Sequence, residues 1–193
     1  MNAAHLRDLA VLSVKDPAEA ARQLLAMQVP RMILWMVLFL VTICNTILST
    51  IFDVLDPEQT PLPLLMSTPF MMLIVIAGGL IMTVYSIFWS GRLLGGKGTL
   101  DGVMVLLVWL QALRLVLQAA VLILALTIPL LSALLVLVAV VFFLYLLVHF
   151  INQAHQLDSM GRSVGVLILS MVIPALGLVV FLSLFGVSLT GTI

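Results

Sequence analysis

The sequence predicts an all-α fold: a polytopic transmembrane bundle of five helices, with short cytoplasmic amphipathic helices at the N-terminus. Three observations predict it. Five apolar stretches fill the chain from Met32 to the C-terminus, each long enough to cross a bilayer at roughly 20 residues per crossing. Hydrophobic residues are 64% of the chain and charged residues 8%, whereas an average soluble domain is roughly one quarter charged. The bilayer, rather than a soluble core, takes up that apolar surface. Finally, seven of the eight Lys and Arg residues fall in segments that share one side of the membrane if the five stretches alternate.

Residues 1–30 read as a cytoplasmic or interfacial segment. Asp16-Pro17-Ala18-Glu19 is a helix start: Asp16 can cap free N–H groups, Pro17 suits the first helical position, and Glu19 stands where a capping box needs a carboxylate. Val29-Pro30 ends that helix, because the residue before a proline is pushed out of helical geometry. Ala20, Leu24 and Met27 share one face, with Glu19, Arg22 and Gln23 elsewhere. Such a helix lies on the membrane surface or packs against the protein's own cytoplasmic loops.

The membrane domain spans residues 31–187. Its first span is expected at 31–52, followed by a loop with Asp53, Asp56, Glu58 and prolines at 57, 61, 63 and 69. The second is expected at 70–89, and the glycine-rich loop 91–99 leads to the third, at 101–128, which ends before Pro129. The fourth is expected at 130–151, the polar loop 152–163 follows, and the fifth is expected at 164–187, with Pro174 near its middle as a kink that a bundle tolerates. Residues 188–193 form an external tail.

Basic residues set the orientation. Arg7, Lys15, Arg22 and Arg31 precede the first span, Arg92 and Lys97 follow the second, and Arg162 precedes the fifth. The N-terminus is therefore expected in the cytoplasm and the C-terminus outside.

A set of motifs resembles the bacterial branch of the Yip (Ypt/Rab-interacting) domain family of five-span membrane proteins. The matching features are the Asp-Pro-Ala-Glu start, the loop Gly91-Arg92-Leu93-Leu94-Gly95-Gly96-Lys97-Gly98, and His155-Gln156-Leu157-Asp158-Ser159-Met160-Gly161-Arg162 opening the last span. The resemblance covers roughly residues 15–187. It implies a non-enzymatic protein of the bacterial cytoplasmic membrane. Eukaryotic members are linked to Rab GTPases, but their Asp-Leu-Tyr-Gly-Pro stretch is absent here, and no functional residue is carried over.

Gly91–Gly98 nearly spells a P-loop, but Gly98 stands where a metal-binding hydroxyl is needed and a helix rather than a strand precedes it. A tight turn is expected instead, with Asp101 or Thr99 capping the third span. Arg114 lies near the middle of that span, where an arginine costs about 2.5–3.5 kcal/mol on insertion scales. Gln111 and Gln118 share its face at i−3 and i+4. Thr42, Asn45, Thr46 and Ser49 form a matching stripe on the first span. Counted along each helix at about 1.5 Å per residue, Gln111 falls level with Thr42 and Gln118 level with Ser49. The expected seam bonds Arg114 to Asn45 or Thr46; the alternatives are a polar pathway, a lipid-headgroup site or a partner contact.

Tyr145, His149, Asn152 and Gln156 form a second stripe, spaced 4, 3 and 4 apart at the cytoplasmic end of the fourth span. It reads as an interfacial polar band. Ala77-Gly78-Gly79 and Gly161–Gly165 read as close packing inside the bundle, with an oligomer contact as the alternative. The single cysteine, Cys44, excludes an internal disulfide. No catalytic constellation, metal site or cofactor is expected, and neither nucleic acid nor nucleotide is an expected partner. The expected function is a membrane-organising or accessory subunit contacting lipids, other integral membrane proteins or a second copy of itself. The alternative is a small transporter, channel or lipid-moving protein that uses the Arg114 seam.

Overall fold

In hydrocarbon every backbone N–H and C=O must find its partner within the chain, which leaves the helix as the natural state of an apolar stretch. The computed structural model describes residues 3–55 and 69–184. Every regular element among them is an α-helix: α1 (Ala3–Lys15), α2 (Pro17–Ala26), α3 (Arg31–Leu55), α4 (Pro69–Leu93), α5 (Leu100–Thr127), α6 (Pro129–His155) and α7 (Met160–Leu184). Among the described residues four helices are long and apolar enough to cross a membrane: Arg31–Phe52 within α3, then α4, α5 and α6. The fifth expected span falls on α7, of which the stretch Met160–Val172 is apolar and by itself shorter than a crossing. The backbone of α7 runs on through Pro174. Most of the expected acidic, proline-rich loop, with Asp56 and Glu58, and the expected tail at 188–193 lie outside the described residues.

Local chemistry sets the joints. Asp16 caps α2 by accepting from the Glu19 N–H at 3.0 Å. The capping box stays half made, because α1 runs straight into α2: the Asp16 N–H donates to the Leu12 carbonyl at 2.7 Å. Glu19 turns instead to Arg22 and Gln23, whose donors hold its carboxyl below its ordinary pKa, Gln23 first. Between α5 and α6 only Ile128 is non-helical, and Pro129 opens α6. Proline has no N–H to offer α5 and suits a first helical turn, so the two spans fold back through one residue. Ser132 Oγ donates to the Val121 carbonyl at 3.3 Å across that hairpin.

α3, α5, α6, α7 and α4 pack side by side in that order, and α4 closes the ring on α3. α2 packs on α5 and α6 and carries α1 with it. Of the two expected places for the N-terminal helix, the structure shows a variant of the second: it docks on the bundle's own helices. Leu9, Ala21 and Leu24 are buried there, and Trp109 Nε1 donates to Ser13 Oγ at 2.9 Å.

The core sits at one end. Ile87, Met104, Leu107, Leu146, Phe150 and Val166 form its centre. They come from the end of α4, the start of α5, the end of α6 and the start of α7, which is the end bearing Arg31, Arg92, Lys97 and Arg162. Beyond this basic end the packing opens: between Gln111 and Tyr145 Ser132 alone is buried. Gly78 and Gly79 are exposed and face open space, so the close packing expected at Ala77-Gly78-Gly79 does not occur among the described residues. α4 meets its neighbours through Val84 and Ile87 instead.

Candidate functional site

The open half of the bundle holds a cleft of about 680 Å³. α5 contributes Gln111, Arg114 and Gln118, which are spaced by one helical turn and therefore face it together. α6 lines the opposite wall with Val140, Phe143 and Leu147, and Phe52 of α3 and Thr83 of α4 complete it.

The seam between α3 and α5 is made in part. Gln118 Nε2 donates to Ser49 Oγ over a long 3.5 Å. The other α3 groups turn onto their own helix. Thr42 Oγ1 donates to the Leu38 carbonyl at 2.7 Å, Asn45 Nδ2 to Val41 at 2.9 Å and Thr46 Oγ1 to Thr42 at 3.0 Å. Short polar side chains can always bond one turn back, and here Thr42, Asn45 and Thr46 are buried doing so. The expected bond from Arg114 to Asn45 or Thr46 is not formed. Arg114 is exposed, lies in the cleft, and makes no ion pair or hydrogen bond among the described residues. A guanidinium only donates, and among the described residues no acceptor meets it in hydrogen-bond geometry.

At the basic end, Thr99 caps α5 by accepting from the Gly102 N–H at 3.1 Å. That leaves Asp101 to pair bidentately with Arg31, Nε to Oδ1 at 2.6 Å and Nη2 to Oδ2 at 3.1 Å. A second cavity of about 410 Å³ lies beside this pair, lined by Gln28, Lys97, Thr99, Gln153 and Gln156 among others. The stripe along α6 divides. His149 Nδ1 lies 2.9 Å from the Tyr145 carbonyl, and the two rings stand 4.2 Å apart. Asn152 Nδ2 reaches Met160 Sδ at 3.8 Å. Gln156 leaves the helix in left-handed geometry, φ 52°.

Sequence reasoning missed His155. It is fully buried, and the loop after α4 wraps it. A Cβ at Gly96 would lie 2.7 Å from the His155 Cβ, and one at Gly98 would lie 2.7 Å from its Cδ2. A Cβ at Gly91 would run into the imidazole itself. The Lys97 N–H donates to the His155 carbonyl at 2.9 Å, and the Gly96 N–H to that of Gly91 at 2.8 Å. His155 Nδ1 sits 3.3 Å from the Ile151 carbonyl, while its Nε2 and the buried Ser90 Oγ meet no partner in hydrogen-bond geometry among the described residues. The glycines that look like a phosphate loop are a socket for this ring. The available signal was three glycines at 91, 96 and 98 with a histidine on a later polar segment, but nothing local joins them. Among the described residues no group of three His, Cys, Asp or Glu could hold a metal ion.

The sequence model of one family, the Yip1 domain, matches residues 11–183. No curated protein and no solved structure matches the chain.

Proposed function

The chain belongs to the Yip1 domain family, and from that premise we propose that it is a non-catalytic, five-span protein of the bacterial cytoplasmic membrane. It acts as a membrane-organising or accessory subunit that contacts lipids and other membrane proteins through its spans. In this reading α3 to α7 each cross the bilayer, the basic end and the N-terminus face the cytoplasm, and the C-terminus lies outside. The observation that carries the reading is where its chemistry is placed. Thr42, Asn45 and Thr46 of α3 donate to their own backbone, while large apolar faces stand uncovered, as at Leu130, Leu137 and Val141 on α6. These faces are available to lipid and to other membrane proteins.

The unpaired Arg114 favours a second reading, in which the cleft is a path for a lipid or small solute. Ion-coupled carriers, however, place partnered ionisable groups within the membrane, and Arg114 has no such partner among the described residues. Reconstitution of the pure protein into liposomes separates the two. The accessory reading expects neither solute flux nor lipid scrambling above empty vesicles. Robust flux abolished by Arg114→Leu would establish the path instead.

A further inference from the structure

We propose that the Arg114 cleft binds an anionic amphiphile, with its acid group on the guanidinium and its apolar tail along α6. The proposal rests on the reading of the chain as a lipid-contacting membrane protein. Three features of the cleft carry it, and the first is charge. Arg114 stands about 20 Å along α5 from Asp101 at 1.5 Å per residue, near the middle of a helix that runs from Leu100 to Thr127. A cation at that depth is rare without a counter-charge or a wet cavity. Asp101, the acidic residue of α5, is engaged by Arg31 at the basic end, and Arg114 pairs with no carboxylate whose side chain is described.

The second feature is the donor set. Gln111 and Gln118 flank the guanidinium on the cleft wall, so amide N–H groups can supplement its fork. Arginine recognises carboxylate and phosphate oxygens through two parallel bonds, and the flanking amides have no charge to neutralise it themselves. The third is shape. About 680 Å³ falls within the roughly 300–1,000 Å³ of small-molecule sites. The remaining wall is apolar, as at Leu117, Val140, Phe143 and Leu147. A bare anion would leave that wall against water or empty space, and a neutral lipid would leave the cation unmatched. A single chain with an acid head matches both.

Binding is tested on the purified full-length protein in a non-ionic detergent, with retained ligand counted by native mass spectrometry. The probes are oleate, lysophosphatidylglycerol, lysophosphatidylcholine and inorganic phosphate. Oleate or lysophosphatidylglycerol should be retained about tenfold better than lysophosphatidylcholine, the difference one charge-assisted contact makes. The tighter of the two identifies the head as carboxylate or phosphate. Arg114→Gln should remove the preference and Arg114→Lys should keep part of it, while Arg162→Gln on the exposed start of α7 should leave it unchanged. Thermal unfolding confirms that each variant is folded.

Equal retention of the zwitterionic lipid, or a preference that survives Arg114→Gln, overturns the proposal. So does inorganic phosphate binding as tightly as the amphiphiles, since the tail would then contribute nothing. A membrane protein that co-purifies with the wild type and is lost in Arg114→Gln, with lipid retention unchanged, would assign the cleft to a partner's acidic helix and also overturn it. Because binding is read in detergent, with no compartment to move a solute into, its failure is distinct from a failure of the accessory role.

Discussion

Gly91→Ala should destabilise the basic end of the bundle by about 1–3 kcal/mol, the usual penalty for forcing extra atoms into a packed site. The sign is informative, because helix propensity points the other way. Gly91 lies in the last turn of α4, where alanine is ordinarily better than glycine by about 1 kcal/mol. Here the new methyl would meet the imidazole of His155. That ring has little room to retreat, since Gly96 and Gly98 also approach it closely and its own residue is fully buried. Replacing His155 by Ala in the Gly91→Ala background should recover most of the loss, because the clash disappears with the ring. Gly78→Ala serves as the control. It faces open space on the same helix and should cost nothing. Thermal unfolding in detergent, followed by circular dichroism, reads all four proteins. A Gly91→Ala protein as stable as the wild type would mean the socket is not closed.

Arg114→Leu should act in the opposite direction on insertion. Arginine at a span centre is disfavoured by about 2.5–3.5 kcal/mol on the insertion scale and leucine is favoured by about 0.3–0.6 kcal/mol. The α5 segment bearing leucine should therefore insert about 3 kcal/mol more favourably in a glycosylation-reporter assay. The same substitution should strip the cleft of its preference for anionic lipid. A gain in insertion coupled to a loss of binding is what a functional charge held against its own solvation cost predicts. An unchanged insertion energy would move Arg114 away from the middle of its span.

The helices were legible because each depends on its own stretch. The long apolar runs of α3 to α6, the Asp16 cap, and the break at Pro129 all act within a few residues. Thr99 and Asp101 were both candidate caps for α5 from sequence; Thr99 takes the role, and Asp101 pairs with Arg31, 70 positions away. The socket around His155 and the docking of α1 and α2 on α5 and α6 follow the same logic: they join segments far apart in the chain, and no period or cap encodes that meeting. Spacing places Gln111, Arg114 and Gln118 on one face, and they line one cleft. Which neighbour that face meets depends on competition for hydrogen bonds. Thr42, Asn45 and Thr46 donate to carbonyls of their own helix, Gln118 reaches α3 at Ser49, and Arg114 opens on the cleft walled by α6.

The proposed role places Arg114 at membrane depth in a chain that crosses five times with its basic end inside. Cysteine labelling tests that most directly. In a Cys44→Ala background, single cysteines replace Glu58, Lys97 and Thr192, and intact cells are treated with a membrane-impermeant maleimide. The account predicts that the cysteines at 58 and 192 are labelled from outside and that the one at 97 is labelled only after the membrane is opened. Labelling at 97 in intact cells would reverse the orientation. Protection at 192 together with labelling at 58 would remove the fifth crossing.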